Sequence, residues 1–231
     1  MIIFGKQLFL HILEHYPAKI RQVLLAKEVE KTLFSRISKL GVKVLKVDNQ
    51  KAQALAHGGN HQGFLAQVDE FEFAPFSSVK NASSVIFLCG ISDVGNIGSI
   101  MRSAVALGCE ALIIANKQGF SEAAIAGMLR TSSGAGYELD ICLLNDDLSA
   151  LNELKQAGFR LIGADASGQD VKEREKKSEK FALLMGSEDK GIGKKALSKC
   201  DEIVAIKMKN GWDSLNVGVA AAILFDRIKN G

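Results

Sequence analysis

Long hydrophobic segments are missing from this sequence. None of its apolar runs approaches the roughly 18 consecutive residues that a membrane-spanning helix needs. The first residues, 1–5, have neither the basic stretch nor the cleavage site of a secretory signal. Internal repeats and low-complexity tracts are also absent. These absences argue against a membrane or secreted protein and predict a cytoplasmic one.

Cysteine is scarce and widely spaced. The four cysteines are Cys89, Cys109, Cys142 and Cys200. Because no Cys-x-x-Cys pair is present to seed a zinc site or a redox couple, we expect four reduced thiols in or near the core. The histidine pairs His11/His15 and His57/His61 have spacings that a metal could use, but neither is accompanied by a third ligand in a suggestive pattern. The sequence therefore predicts no metal centre.

What the chain does have is apolar content and an uneven distribution of charge. Its 231 residues are 47% hydrophobic, with a mean hydropathy of +0.10. That is enough for a sizeable core in one large or two modest domains. Residues 1–70 carry ten Lys or Arg against six Asp or Glu, whereas residues 71–231 carry nineteen against twenty. The basic excess indicates that the N-terminal part meets a polyanion, although solvated basic faces of this size are common.

Residues 1–70 alternate between helix-like and strand-like patterns. The predicted elements are a helix at 5–15 ended before Pro17, a strand at 20–25, a helix at 28–40 stopped by Gly41, a strand at 42–47, a helix at 50–57 and a strand at 64–68. Together they predict a small α/β module. Residues 71–83 mix acids, Pro75 and small polar groups, so we place a linker there.

From residue 84 to residue 231, short apolar runs alternate with helix-like stretches. The predicted strands are 85–89, 111–115, 141–144, 160–164, 181–185 and 202–206. Helix caps are expected at Gly108, Gly158, Ser121 and Asp213–Ser214. Strands that are apolar on both faces and alternate with helices predict a mostly parallel sheet covered on both sides. The charged stretch 170–180 is expected to be a solvated surface segment.

Three loops follow these strands at the edge where α/β sheets collect ligands, outside the carboxyl ends of the strands. The first loop, 90–104, opens a helix with Asn96 at or near its N-cap and Arg102 six residues later, roughly beneath the same face. An amide at the mouth of a helix above a fixed cation suits an anionic or hydroxyl-bearing substrate. The alternative is a well-capped helix with a surface arginine.

The second loop, 184–194, superficially resembles a phosphate-binding loop. The position that needs lysine holds Ile192, and Glu188 and Asp189 would repel phosphates. An acidic, glycine-rich turn better suits a neutral or cationic ligand. Gly186 would let that ligand approach the backbone, while Glu188 would order the loop by accepting hydrogen bonds.

The third loop lies within 205–220. Ile206 and Met208 end a strand, and residues 214–216 enter a helix of small residues. Apolar side chains beside exposed backbone amides suit an adenine ring. The alternative is a core helix after a tight turn. The alanines at 220–222 would let another element, such as a second subunit, pack closely on this helix.

Together and in this order, the three loops resemble the signature motifs of the SpoU/TrmH family of S-adenosylmethionine-dependent RNA ribose 2′-O-methyltransferases, most of all the rRNA guanosine-modifying RlmB type. The matching patterns are Asp93-x-x-Asn96-x-Gly98-x-x-x-Arg102-x-Ala104, Met185-Gly186-x-Glu188-x-x-Gly191 and Ile206-x-Met208-x-x-Gly211-x-x-Ser214-Leu215-Asn216-Val217. Val94 and Lys207 stand where members usually have proline, which affects the loop backbone more than its chemistry. Residues 1–70 are similar to the RNA-binding module of rRNA-modifying members, with Gly5-Lys6 and His61-Gln62-Gly63 as landmarks.

The resemblance implies a fold and a cofactor pocket. The C-terminal segment of a mostly parallel sheet with helices on both faces would thread a loop as a trefoil knot, which ordinary connection rules would not suggest. Bent S-adenosylmethionine would be held by the backbone at Gly186, Ile206 and Leu215, with Met208 beside it. Members of the family are dimers with the site at the interface, which fits the small-residue final helix.

The resemblance also implies a mechanism. Arg102 would activate the ribose hydroxyl, and because arginine stays protonated in proteins we expect it to grip the adjacent phosphate and stabilise alkoxide charge. The residues that would orient the arginine, the ribose and the loops are Asn96, Glu188, Ser214 and Asn216. The substrate would be structured RNA, with a guanosine of 23S rRNA favoured over tRNA.

Other interpretations of the residues remain open. A tRNA 2′-O-methyltransferase of the same family would share all three motifs. A non-catalytic RNA-binding or ribosome-assembly factor would keep the basic module but need no cofactor slot. A nucleotide-binding α/β enzyme is a weaker alternative, because neither Gly-x-Gly-x-x-Gly nor a true phosphate loop is present.

Overall fold

The computed structural model describes residues 1–171, 180–209 and 214–231 of the chain. Its contacts divide the chain into two units, each with its own sheet. The first unit comprises Met1–Glu72 with Phe120–Ala135, and the second comprises Phe73–Gly119 with Gly136–Gly231. In the described part of the chain, no helix has both the length and the apolar character needed to cross a membrane.

The elements up to residue 72 alternate as the sequence predicts. In chain order they are β1 (Ile2–Phe4), α1 (Lys6–His15), a 3₁₀ turn (Pro17–Lys19), β2 (Ile20–Leu25), α2 (Lys31–Ser38), β3 (Lys43–Lys46), α3 (Asn49–Leu55) and β4 (Phe64–Val68). The predicted strands at 20–25 and 64–68 are confirmed with the same bounds. The strand β1 was not predicted, because three residues are too few to show a pattern.

The remaining elements continue the alternation. They are α4 (Phe76–Val79), β5 (Ser84–Cys89), α5 (Val94–Ala106), β6 (Ala111–Ala115), α6 (Glu122–Thr131), a 3₁₀ turn (Ala135–Tyr137), β7 (Asp140–Leu144), α7 (Asp147–Gln156), β8 (Arg160–Asp170), β9 (Phe181–Gly186), α8 (Lys194–Leu197), β10 (Glu202–Ala205) and α9 (Val217–Asn230). All six strands predicted in this part are present.

The sheet of the first unit has the order β1-β4-β2-β3. Strands β2 and β3 are parallel, and the other two pairs are antiparallel. Phe9 of α1 and Phe64 of β4 are fully buried, with their ring centroids 5.4 Å apart. The helix α2 begins at Lys31 rather than at the predicted residue 28, because the backbone at Glu30 is still extended with ψ of 145°.

The helix α6 lies between two strands of the second sheet in sequence but belongs to the first unit. The carboxylate of Glu122 accepts a hydrogen bond from the Ile2 amide at 3.1 Å, and the Arg130 guanidinium lies over the Phe4 ring at 5.5 Å. Ser121 caps the helix as predicted, accepting from the amide of the third residue of the helix at 3.2 Å. The two structural units therefore differ from the predicted domains, because residues 120–135 belong to the first unit. The predicted functional domains at 1–70 and 84–231 stay a prediction.

The sheet of the second unit has the order β10-β8-β9-β5-β6-β7, and every neighbouring pair is parallel. Alternate side chains of the central strand β5, such as Phe87, pack with residues of α4, α7 and α8 in one core cluster. The opposite face is covered by α5 and α9, which contact each other. Phe225 of α9 lies 5.6 Å from Phe181 of β9. The predicted parallel sheet with helices on both faces is therefore confirmed, while the trefoil knot stays a prediction.

Two local predictions in this unit, on α9 and β8, are corrected. The helix α5 is capped by Asp93, whose carboxylate accepts from the Asn96 amide at 2.7 Å, so Asn96, predicted at or near the N-cap, is the third residue of the helix. The cap of α9 is Asn216 instead of Ser214. Strand β8 continues to Asp170, well beyond the predicted end at 164. Gly108 and Gly158 do follow helix ends with positive φ, as predicted.

The predicted linker at 71–83 is partly ordered within the second unit. The Ala74 amide donates to the carbonyl of Ile141 on β7 at 2.7 Å, and Val79 of α4 is fully buried. The segment is more ordered than a linker because its apolar side chains, such as Val79, pack against the edge of the sheet at β7. Of the charged stretch 170–180, residues 172–179 lie outside the described residues, as do Gly211 and Asp213 of the third loop.

The cysteines are free thiols, as expected. Burial raises the pKa of Cys89 and Cys109 to about 12, and the pKa of Cys142 and Cys200 to about 11. Thiols with such pKa values are protonated and unreactive at neutral pH. Among the described residues, no group of three His, Cys, Asp or Glu is placed to hold a metal ion.

Candidate active site

A cavity of about 220 Å³ in the second unit is lined by the middle of β8, the carboxyl ends of β9 and β10 and the start of α9. We call it the apolar cavity, because its walls include Met185, Val204 and Leu224. The four predicted cofactor-binding residues all line it, namely Gly186, Ile206, Met208 and Leu215. Glu188 and Ser214 also line it. The second and third loops, which are separated in the chain by α8 and β10, thus meet in one pocket.

Gly186 is required by the backbone that faces it. The loop after β9 turns back on itself, with the Gly191 amide donating to the Ser187 carbonyl at 2.8 Å. A Cβ at Gly186 would lie 2.1 Å from the carbonyl carbon of Gly191 and 2.3 Å from the amide nitrogen of Ile192. No side chain can occupy that space. The predicted reason for this glycine was the approach of a ligand, whereas the structure shows that the returning loop demands it.

Asn96, Glu188 and Asn216, one from each loop, form a hydrogen-bonded group that we call the polar junction. The Asn216 side-chain amide donates to Oδ1 of Asn96 at 2.8 Å and to Oε1 of Glu188 at 3.4 Å. The Asn96 side-chain amide donates to the same Glu188 oxygen at 3.3 Å. Three of the four predicted orienting residues are therefore brought together, and each constrains the other two, while the fourth, Ser214, makes no hydrogen bond with them.

The polar junction also anchors the start of α9. Oδ1 of Asn216 accepts from the amides of Gly218 at 3.0 Å and Val219 at 3.4 Å, while the Val217 amide donates to Oε1 of Glu188 at 3.3 Å. A carboxylate is favourable there because the N-terminus of a helix carries partial positive charge and free N–H groups. Glu188 consequently ties the second loop to the final helix.

A second cavity, of about 300 Å³, borders the polar junction at Asn96 and Glu188. Its walls come from 90–93, Asn96 and 187–190, and they are mainly polar. It shares Ser187, Glu188 and Val217 with the apolar cavity. We call it the polar cavity. A largely apolar pocket and a polar pocket therefore share a wall that contains the Glu188 carboxylate.

Arg102 is placed differently from the other predicted residues. It is exposed on α5 and lines neither cavity. Within the described ranges, no hydrogen bond or ion pair holds its guanidinium. The prediction that Arg102 lies roughly beneath Asn96 is wrong. Six residues along an α-helix correspond to a rotation that ends about 120° from the starting position, so the two side chains lie on different faces of α5. The structure of a single chain does not bring Arg102 to the junction.

Residues 164–166 of β8 also line the apolar cavity, and sequence reasoning missed them. Oδ1 of Asp165 accepts from the amide and the hydroxyl of Ser167, at 3.0 and 2.6 Å. These hydrogen bonds, the hydroxyl first, hold the pKa of the Asp165 carboxyl below its usual value. The available signal was the run of small residues from Gly163 to Gly168, which is unsuited to a regular buried strand.

Comparison with known proteins identifies the family of the chain. The family model described as the SpoU rRNA Methylase family matches residues 83–226, and the model for RNA 2′-O ribose methyltransferase substrate binding matches residues 2–74. The chain belongs to the SpoU rRNA Methylase family. The predicted family and the predicted class of enzyme, an RNA methyltransferase, are confirmed.

Individual relatives of this SpoU-family chain are distant in sequence. An uncharacterized tRNA/rRNA methyltransferase of Mycolicibacterium paratuberculosis is 29% identical over 92% of this chain and 71% of its own length. The solved SpoU methyltransferase AviRb of Streptomyces viridochromogenes, in complex with AdoMet, is 24% identical with a TM-score of 0.77, covering 99% of this chain and 88% of that one. A solved RNA 2′-O ribose methyltransferase is 23% identical with a TM-score of 0.79, over 99% and 87%. These structures share the fold.

Proposed function

We propose that this chain transfers a methyl group from S-adenosylmethionine to a ribose 2′-hydroxyl of RNA, with a guanosine of 23S rRNA as the target. The observation that carries the proposal is the pair of cavities that share Glu188, whose carboxylate is hydrogen-bonded to Asn96 and Asn216. Methyl transfer needs a donor pocket and an acceptor pocket that share a wall, because the nucleophile and the methyl carbon must meet in line.

The residues of the apolar cavity fit an adenosyl group. Ile206, Met208 and Leu215 offer apolar surface for a purine ring, and the neighbouring backbone can hydrogen-bond its edge. The carboxylates of Asp165 and Glu188 would disfavour a phosphorylated nucleotide, whereas S-adenosylmethionine carries no phosphate. When bound, it supplies an electrophilic methyl carbon on a cationic sulfur.

The polar junction would order both pockets. Glu188 accepts hydrogen bonds from two side-chain amides and from the Val217 amide, so it is held as a fixed acceptor between the cavities. Ser214, exposed at the mouth of the apolar cavity, would hydrogen-bond the ribose or its phosphate. In these roles the residues position the hydroxyl and keep the two loops closed around the cofactor.

A homodimer would give Arg102 a site to act on. The exposed apolar side chains Val219 and Ile223, 49% and 38% accessible, lie four residues apart on one face of α9. The neighbouring helix α5 carries the exposed Arg102, and α5 and α9 pack on each other. We propose that this face pairs with a second copy, so that Arg102 of one protomer stabilises the developing alkoxide in the site of the other.

The N-terminal unit would recognise the RNA. Residues 1–70 carry the basic excess of the chain, and their match to a substrate-binding module supports contact with phosphates. The relatives named above are tRNA/rRNA and RNA methyltransferases, so the preference for rRNA rests on the presence of this module.

The test is methylation in vitro followed by mapping of the product. The full chain with S-adenosylmethionine is incubated with transcripts of 23S rRNA domains and with unmodified tRNA, and 2′-O-methylated nucleotides are located by resistance to alkaline hydrolysis and by mass spectrometry. We expect one modified guanosine in the rRNA. Modification of tRNA alone would overturn the assignment of rRNA as the substrate. RNA binding that does not depend on the cofactor, without methylation of any RNA, would overturn the proposed methyl transfer.

A further inference from the structure

Strand β8 contains a bulge that faces the apolar cavity. Ile162 and Gly163 pair with Glu202 and Ile203 of β10, but the next residue of β10, Val204, pairs with Gln169. The five residues 164–168 therefore have no partner on β10, and pairing with β9 also ends at Gly163. Such bulges re-aim side chains at the rims of sheets and next to active sites.

The glycine at the end of the bulge fixes its shape. A Cβ at Gly168 would lie 2.6 Å from the carbonyl carbon of Val204 and 2.7 Å from that of Ile203. Backbone can come that close only where there is no side chain. The bulge must therefore close at Gly168, and residues 164–166 remain on the wall of the apolar cavity.

Asp165 is the charged residue of this bulge. Ser167 occupies one carboxylate oxygen, Oδ1, through both its amide and its hydroxyl. Among the residues that the structure describes, no hydrogen bond reaches the other oxygen, Oδ2. The side chain is half-buried, and the hydrogen bonds from Ser167, the hydroxyl first, lower the pKa of the carboxyl and so favour its ionised form. The cavity wall thus holds an oriented anion with acceptor capacity left over.

The charge of the cavity wall is one-sided. Among its described lining residues, Asp165 and Glu188 are acidic and none is Lys, Arg or His. Glu188 already accepts hydrogen bonds from Asn96, Asn216 and Val217, whereas Ser167 is the one hydrogen-bond partner of the Asp165 carboxylate among the described residues. Because much of the wall is apolar, a charge inside the cavity is screened less than it would be in water.

We propose that Asp165 is a selectivity residue of the cofactor site, whose carboxylate favours the cationic sulfonium of S-adenosylmethionine over the uncharged thioether of the product S-adenosylhomocysteine. The proposal rests on the proposed function. The two molecules share the adenosyl and amino-acid groups and differ by the methyl and by one unit of positive charge. The Asp165 carboxylate therefore attracts S-adenosylmethionine more strongly than S-adenosylhomocysteine, because only the first carries the extra positive charge. As a result the site releases its product more readily than its substrate.

The experiment is isothermal titration calorimetry on the full chain with three ligands. S-adenosylmethionine and S-adenosylhomocysteine are compared with sinefungin, in which an amine-bearing carbon replaces the methylsulfonium and keeps the positive charge. In Asp165→Asn we expect affinity for the two cationic ligands to fall about five- to tenfold. Affinity for S-adenosylhomocysteine should change less than about twofold, so that the selectivity ratio collapses.

Asp140→Asn is the matched control. It removes the same charge from an exposed aspartate at the amino end of β7, on the opposite edge of the sheet, and should leave all three affinities unchanged. Ser167→Ala keeps the Asp165 carboxylate and removes the hydroxyl that donates to it, while the amide of residue 167 still donates. This variant should retain most of the selectivity. Thermal unfolding checks that each variant is folded.

The outcomes separate this inference from the proposed function. Equal losses for all three ligands in Asp165→Asn would show that the carboxylate contacts a group common to them, and no loss for any would show that it does not act on the cofactor. Either result overturns the selectivity role while wild-type binding still supports the methyltransferase. Failure of the wild-type chain to bind any of the three ligands would overturn the proposed function itself.

Discussion

The N-terminal unit exposes lysines, including Lys43 and Lys46 at the two ends of its edge strand β3, whereas the described wall of the apolar cavity carries only carboxylates among its ionisable groups. A formal net charge of +3 for the whole chain conceals this contrast. Regions of opposite charge suit different ligands. A polyanion suits the first, and a compact ligand without phosphates suits the second. The predictions below test that separation.

Gly186→Ala should have the largest effect. The added Cβ would lie 2.1 Å from the Gly191 backbone, so the loop that closes the apolar cavity must move. We expect affinity for S-adenosylmethionine to fall more than about 100-fold and the free energy of unfolding to fall by about 2 kcal/mol. Calorimetry and denaturant unfolding measure the two, and RNA affinity should be unchanged.

Gly193→Ala is the control for that variant, because a Cβ there meets nothing within 4 Å. It should bind the cofactor normally. If Gly186→Ala also bound normally, the returning loop would not shape the cofactor site, and the contrast between the two regions would lose its structural basis.

Arg102→Ala should lower kcat about 100-fold and leave cofactor affinity nearly intact, because the side chain lines neither cavity of its own chain. Single-turnover methylation together with calorimetry separates the two quantities. Mixing Arg102→Ala with Gly186→Ala protomers should restore part of the activity if the arginine acts across a dimer. Normal turnover by Arg102→Ala would remove the residue from the mechanism.

Lys43→Ala combined with Lys46→Ala should weaken RNA binding about tenfold at low salt. It should also reduce the salt dependence of binding, because a protein that contacts fewer phosphates releases fewer counterions from the RNA when it binds. Cofactor affinity should not change. Lys194→Ala combined with Lys195→Ala removes the same charge from exposed positions on α8 of the second unit and is the matched control. Equal losses in the two double variants would mean that the polyanion does not prefer the N-terminal unit.

Asn216→Ala should have the smallest effect on activity in this series, and it should lower the free energy of unfolding by about 1 kcal/mol because it removes the N-cap of α9. It also removes two hydrogen bonds of the polar junction, so we expect a fall of about fivefold in kcat that exceeds the change in KM. Urea unfolding and steady-state methylation measure these quantities. A change in KM alone would show that the junction binds substrate without orienting it.

Much of the fold was predictable because its elements are local. Residues 111–115 form an apolar run that reads as a doubly buried strand, and β6 has those bounds. Gly108 and Gly158 mark helix ends, since a positive φ there suits glycine. The cap of α9 was predicted at Asp213–Ser214 instead of Asn216 because several capping residues stand near the start of this helix, and only the backbone decides which one lies at the turn.

The order of residues by itself determined the alternation of helices and strands, the uneven charge and the three loops at strand ends, because propensity, hydrophobic period and charge act over a few neighbouring residues. Only the tertiary structure decided that Glu188 joins Asn96 to Asn216, that Gly186 is enforced by Gly191, and that Asp165 stands on the cavity wall. The polar junction and the cavity wall depend on sheet register, which brings together segments far apart in the chain. The approach of Gly191 to Gly186 depends on how one loop folds back on itself, and no pattern of propensity encodes that path.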